Sequence, residues 1–263
     1  YLGAWTLRFT QEAIEYVKKS DSKRYSEIIG KTNFKEAEET SKWKDIVEKM
    51  YYPKDEKRGI ILQQDGFLDK ELLNVSDLKP TDRPINQKWS WDRILRSCFI
   101  KQADVLQGIY LFDDDFNIET IKKNFDFYEP MTVHESSLSP CVHVILASKL
   151  GYKEQAYDFY SRTARLDLDD YNNDTEDGCH ITSMAGTWMS VVKGFGGMKV
   201  KDGKLHFNPF IPDQWKSYSF RQEFRGRVIK ITVDQKGVHT KLESGEPLEI
   251  ELSGKSVALR SAM

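Results

Sequence analysis

Apolar positions recur at helical spacing over most of the chain and then switch to strict alternation. Leu2, Trp5, Phe9, Ala13, Ile14, Tyr16 and Val17 fit one face of an amphipathic helix, closed by Lys18 and Lys19 where the helix dipole favours cations. Phe34, Ala37, Trp43, Ile46, Val47 and Met50 predict a second helix over residues 33–50. Residues 51–67 are less regular, and Pro80 and Pro84 bracket a turn. From Trp89 to Phe112 the spacing predicts one long helix, with Ile94, Leu95, Cys98, Phe99, Ala103, Leu106 and Tyr110 on its apolar side. Further helices are predicted over 116–127, 138–150, 153–164 and 180–193, with Gly151 closing one of them at C′. Beyond the breaker cluster GFGG at 194–197, short alternating runs are divided by DG, RG, KG and SG pairs, which is the pattern of antiparallel hairpins. The expectation is a mainly α region over 1–193 followed by a small antiparallel β domain over 194–263.

The 263 residues are enough to bury a substantial core, and the formal net charge of −2 gives no electrostatic case for nucleic acid or an anionic membrane. Three cysteines, Cys98, Cys141 and Cys179, share no metal-ligand spacing and read as reduced thiols, which favours a cytoplasmic protein. No apolar run approaches the ~20 residues of a membrane helix. The chain opens on Tyr1 in a pattern that is already helical, without Met or a cap, so it reads as the C-terminal part of a larger protein.

Four stretches carry candidate chemistry. The region 166–188 packs seven Asp, Glu or Asn positions into the ten residues from Asp169 to Gly178, then turns to small residues. Such a stretch predicts an acidic loop feeding a helix, with Gly178, Cys179 and His180 at the junction and Met184, Trp188, Val191 and Val192 supplying its apolar packing. Unpaired N–H groups at that helix start, with His180 beside them, suit an anion such as phosphate; an ordinary capped helix with a surface histidine is the competing reading. His134, Glu135, Ser136 and Ser137 precede Ser139-Pro140, which reads as a cap and N1 pair. Their hydroxyls and imidazole are either phosphate donors or plain capping groups. Lys101 and Gln102 either hydrogen-bond a sugar or include a lysine reaching out from the core edge. Trp89 and Trp91 either stack on a sugar or belong to the core. No nucleophilic triad, phosphate-binding glycine loop, zinc pattern or dinucleotide motif is present.

Three stretches, WDRILRSCFIKQADVLQ (91–107), TVHESSLSPCVH (132–143) and RLDLDDYNNDTEDGCHITSMAGTWMSVVKGFGG (165–197), together with LHFNPFIPDQW and SFRQEFRG, resemble the C-terminal part of the inverting disaccharide phosphorylases of glycoside hydrolase family 65, with the maltose-cleaving members nearest. The resemblance implies the later helices of an (α/α)6 barrel followed by a C-terminal β domain. It also implies phosphorolysis of maltose to β-D-glucose 1-phosphate and glucose, with trehalose or kojibiose as alternative substrates. By the same resemblance Lys101 and Gln102 bind the sugar, and Ser136, Ser137 and His180 bind phosphate. Inorganic phosphate is then a co-substrate and no cofactor is needed. The implied partners are the disaccharide, phosphate, the N-terminal portion of the same protein and a second subunit of a homodimer. The family's general acid is a Glu in a Gly-Pro-x-Glu-Tyr-type motif placed upstream of the segment resembling residues 1–10; no such motif occurs here. The chain by itself is therefore expected to bind phosphate weakly and not to turn over. A non-catalytic helical module that binds a partner through an exposed helix face is the remaining alternative.

Overall fold

The computed structural model describes residues 1–260. Two compact units are present, one formed by residues 1–57 with 61–65, the other by 58–60 with 66–260.

The first unit contains α1 (Leu2–Ser20), α2 (Ser22–Thr32) and α3 (Glu36–Glu48), with the short strand β1 (Lys54–Asp55) near its end. α2 lies in a stretch whose apolar positions are too few to announce it. Its limits are set locally: Asp21 accepts the Arg24 N–H at the start, and Asn33 ends it in the left-handed region at φ 53°. Ala4 is the buried residue of α1, while Leu2, Phe9 and Tyr16 of its apolar face are exposed.

The second unit carries the candidate chemistry. After β2 (Ile60–Ile61, whose first residue belongs here) come α4 (Ile85–Lys88), α5 (Trp91–Arg96), α6 (Asp104–Leu111), α7 (Ile118–Tyr128), α8 (Pro140–Leu150), α9 (Lys153–Ala164) and α10 (Ile181–Met189). α8 is the centre. Residues Pro140 through Ala147 are all buried, as expected of a helix that is apolar all round, and α6, α7, α9 and α10 pack against it. α10 meets α8 through its small residues. Ser183, Gly186 and Ser190 are buried, whereas Met184 and Trp188, expected to supply apolar packing, are exposed. A Cβ on Gly186 would lie 2.9 Å from Cys141 Cβ, so only glycine permits this approach. α10 then widens into a π-helical turn over Ser190–Phe195.

The long helix expected over 89–112 is not formed. α5 ends at Arg96, residues 97–103 form an irregular connection, and within it Ile100 forms a parallel bridge with Thr132. The Ile100 N–H donates to Met131 O and the Val133 N–H donates to Ile100 O, both at 2.9 Å. This pairing across some thirty residues outweighs the local periodicity, and it moves Lys101 and Gln102 out of a helix and into a loop.

The helical region is followed by a small, mostly antiparallel β region. Strands β3 (Lys199–Lys201), β4 (Lys204–Phe207), β8 (Leu248–Leu252) and β9 (Lys255–Leu259) form one sheet. Strands β5 (Ser217–Phe224), β6 (Arg227–Asp234) and β7 (Gly237–Ser244) form the other. The hairpin pairs Asp202-Gly203, Arg225-Gly226 and Ser253-Gly254 each take positive φ at both positions, as tight hairpin turns require. One pairing, β4 with β8, is parallel and non-local, so no turn signal announces it. Ile229, Ile231 and Val233 alternate inward along β6. Tyr218 fastens the β region to the end of the helices, its single hydroxyl proton shared between Phe195 O at 2.8 Å and Phe210 O at 2.9 Å.

Among the described residues no helix is long and apolar enough to cross a membrane, and no His/Cys/Asp/Glu group could hold a metal ion. The three cysteines are free.

Candidate anion-binding site

The irregular segment 132–137 runs from the Ile100 bridge toward the start of α8. It is held by two arginines. Arg162, from the last turn of α9, donates to His134 O from Nε at 3.0 Å and from Nη2 at 2.7 Å. Arg83 donates from Nη2 to Val133 O at 2.7 Å and from Nε to Glu135 Oε1 at 2.7 Å. The other Glu135 oxygen accepts the Ile85 N–H at 2.7 Å. Both oxygens of this buried carboxylate are therefore committed to structure. The clamp keeps His134 at φ 53°, a conformation rarely adopted by residues with a side chain.

His134 and His143 form a buried edge-to-face pair with ring centroids 4.4 Å apart. Burial pushes the imidazole of His134 well below the usual histidine range and that of His143 to about 4, so both are neutral near pH 7. His134 is thus a core residue under the loop, with Nδ1 3.4 Å from the Ser139 hydroxyl. Ser139 occupies the N-cap position with Pro140 at N1, yet its side chain makes no cap hydrogen bond.

Ser136 is buried and its hydroxyl accepts the Leu138 N–H at 3.3 Å. Ser137 is half-buried, and its hydroxyl lies 2.7 Å from that of Thr182 in the first turn of α10. That contact joins the segment leading into α8 to the first turn of α10, where the N–H groups are largely engaged: Val142 donates to Ser139 O at 3.2 Å, Ser183 to His180 O at 2.9 Å, and Pro140 has none. His180 is the N-cap residue of α10. Its backbone N–H donates to Asp167 Oδ2 at 2.9 Å, and Nδ1 lies 2.6 Å from Asp167 Oδ1. Nε2 lies 3.4 Å from Asp174 Oδ2. The hydrogen bond to Asp167, with the charge of Asp174, raises the His180 pKa above the ordinary histidine value. The same contacts hold the Asp167 carboxyl below the usual carboxylate range.

Lys101 and Gln102 follow Ile100 directly, so its bridge to Thr132 places them at the base of the Ser136-Ser137 loop. The Lys101 ammonium lies 5.3 Å from the ring centroid of Trp91. Among the described residues no hydrogen bond joins this pair to Ser136, Ser137 or His180. A cavity of about 440 Å³ lies elsewhere on the loop, lined among others by Ser76, Arg83, Thr132, His134 and Arg162; none of the five sequence-derived site residues lines it.

Sequence reasoning missed Asp167, Asp174, Arg83, Arg162 and Thr182. The acidic stretch signalled carboxylates near His180 without distinguishing them. Asp169 pairs with Arg165, and Asp170 holds the backbone N–H groups of Asp174 and Thr175, which leaves Asp167 and Asp174 for the imidazole.

Residues 1–189 match the glycosyl hydrolase family 65 central catalytic domain, and residues 198–259 match the C-terminal domain of the same family. Over 98% of its length the chain is 49% identical to the maltose phosphorylase of Bacillus subtilis (strain 168), covering 33% of that protein. It is 39% identical to the alpha,alpha-trehalose phosphorylase of Thermoanaerobacter brockii, over 98% of the chain and 33% of that protein. A solved structure described as a kojibiose phosphorylase-type protein from the human microbiome superposes with a TM-score of 0.87 at 35% identity, over 98% of this chain and 36% of that one. The chain spans about a third of the length of the curated relatives it matches.

Proposed function

Because the chain belongs to glycosyl hydrolase family 65, we propose that it supplies the phosphate-binding part of an inverting maltose phosphorylase, which converts maltose and phosphate to β-D-glucose 1-phosphate and glucose. The observation that carries this reading is the Ser137–Thr182 hydroxyl contact at the first turn of α10, whose N-cap residue His180 has its charged form favoured by the Asp167 and Asp174 carboxylates.

An inverting hydrolase needs one carboxylic acid to protonate the leaving oxygen and a second carboxylate to activate water. Phosphate is already an anionic nucleophile, so the second carboxylate can be replaced by groups that bind and aim it. The side chains of Ser136, Ser137 and His180 are donors of that kind, and the dipole at the start of α10 favours the anion. Lys101 and Gln102, on the neighbouring loop, carry donors suited to sugar hydroxyls. Glu135 is not the general acid in this reading, because Arg83 and the Ile85 N–H occupy both of its oxygens. These 263 residues alone are expected to bind phosphate weakly and not to turn over.

A different α-glucosidic disaccharide is the second reading, since trehalose and kojibiose phosphorylases are also relatives at 39% and 34% identity. The experiment is a panel of maltose, trehalose and kojibiose with the complete enzyme, with and without phosphate, reading glucose 1-phosphate and its anomer. Maltose cleaved only with phosphate, giving the β-anomer, is the expected outcome. Preference for another disaccharide would replace the substrate, and cleavage without phosphate would end the phosphorolytic reading.

A further inference from the structure

The two carboxylates at His180 hold it in different ways. Asp167 uses both oxygens, one on the ring at 2.6 Å and one on the backbone N–H of the same residue at 2.9 Å. A carboxylate that binds ring and backbone together fixes the orientation of the imidazole and places a proton on Nδ1, as an aspartate does for a catalytic histidine. Asp174 makes one long approach, 3.4 Å to Nε2. That distance lies beyond the optimum of a charge-assisted hydrogen bond. Nε2 is therefore the ring nitrogen whose partner is easily exchanged.

The charged groups acting on the ring are Asp167 and Asp174. The segment before α8 and the first turn of α10 present Ser137 and Thr182, which are neutral. Asp170 acts indirectly, fixing the acidic loop through the Asp174 and Thr175 N–H groups at 3.0 and 3.1 Å. Resting on the phosphate-binding reading above, we propose that Asp167 is a positioning residue that fixes His180 for phosphate, and that phosphate and the Asp174 carboxylate compete for Nε2.

The two aspartates then have opposite effects. Asp167→Asn removes the charge and lets the amide donate to Nδ1, which favours neutral imidazole. Each unit by which the pKa of His180 falls is tenfold less imidazolium at a pH above both values. Asp174→Asn removes a competing anion and leaves the Asp167 grip in place.

The test measures KM for phosphate and for maltose in the complete enzyme at pH 7.5 and pH 5.5, for the parent and both variants. For Asp167→Asn the phosphate KM is expected to rise about tenfold at pH 7.5 and much less at pH 5.5, where the imidazole is protonated in both proteins. For Asp174→Asn the phosphate KM is expected to fall at pH 5.5, where the imidazole stays protonated without the Asp174 charge, with the maltose KM unchanged in both variants. An unchanged phosphate KM in Asp167→Asn, or an equal rise at both pH values, overturns the positioning role. An unchanged or raised phosphate KM at pH 5.5 in Asp174→Asn overturns the competition, and that arm decides should Asp167→Asn fail to fold. A parent enzyme that cleaves maltose without phosphate refutes the underlying reading instead, so the two failures are distinguishable.

Discussion

Replacing Glu135 separates a structural carboxylate from a catalytic one. Its side chain is 3% exposed, and that of its partner Arg83 is 34% exposed. Glu135→Ala strips the acceptor from the buried Ile85 N–H, and an unsatisfied buried donor costs about 1–3 kcal/mol. It also removes the ion pair with Arg83, worth about 1 kcal/mol once solvent access to the guanidinium is allowed for. The loss is therefore about 3 kcal/mol in the second unit. At roughly 2–4 °C per kcal/mol for a unit of this size, Tm should fall by about 6–12 °C. Glu135→Gln keeps one acceptor for Ile85 but turns an amide toward Arg83, and should cost about 1–2 kcal/mol. Urea unfolding of both variants, with the slope checked against the parent, reads the loss directly. In the complete enzyme the folded Glu135→Gln protein should retain measurable phosphorolysis. Full stability together with abolished turnover in Glu135→Gln would refute this reasoning and make Glu135 a reacting group.

Gly186→Ala should cost about 1–3 kcal/mol by overpacking, because the new methyl would stand 2.9 Å from Cys141 Cβ; Gly30→Ala in α2, with nothing within 4 Å, should be neutral or stabilising by thermal melting. Tyr218→Phe should lose about 1–2 kcal/mol with the shared hydrogen bond that ties β5 to Phe195 and Phe210, measured by urea unfolding. Burial lowers the His143 pKa from 6.5 to about 4, so the unfolded chain binds the extra proton first as pH falls. Stability should therefore decline from about pH 6.5 down to about pH 4, by up to about 3 kcal/mol. His134 acts in the same direction, and His143→Gln should flatten this limb in unfolding curves collected across that range.

The sequence made much of the fold legible where structure is decided locally. α9 runs over Lys153–Ala164, the span its periodicity predicts, and Gly151 takes the left-handed conformation expected at the end of α8. The hairpin pairs Asp202-Gly203 and Arg225-Gly226 likewise carry their own geometry. Non-local pairing was not legible. The Ile100–Thr132 bridge splits a stretch of flawless helical spacing, and the β4–β8 pair is parallel in a region where every turn signal is antiparallel. Packing by small residues also inverted an expectation: periodicity turned Met184 and Trp188 inward, but the close approach of α10 to α8 selects Ser183, Gly186 and Ser190. At the candidate site, the junction at His180 could be read from the acidic stretch, whereas the roles of Asp167 and Asp174 depend on a fold-back of the loop that spacing does not encode.

The most direct test of the phosphate-binding assignment is the separation of the two substrate constants in the complete enzyme carrying Ser137→Ala or His180→Gln. The account predicts a phosphate KM raised about tenfold or more in each variant, corresponding to about 1.4 kcal/mol of lost binding, with the maltose KM little changed. A maltose KM that rises while the phosphate KM stays at the parent value would contradict it.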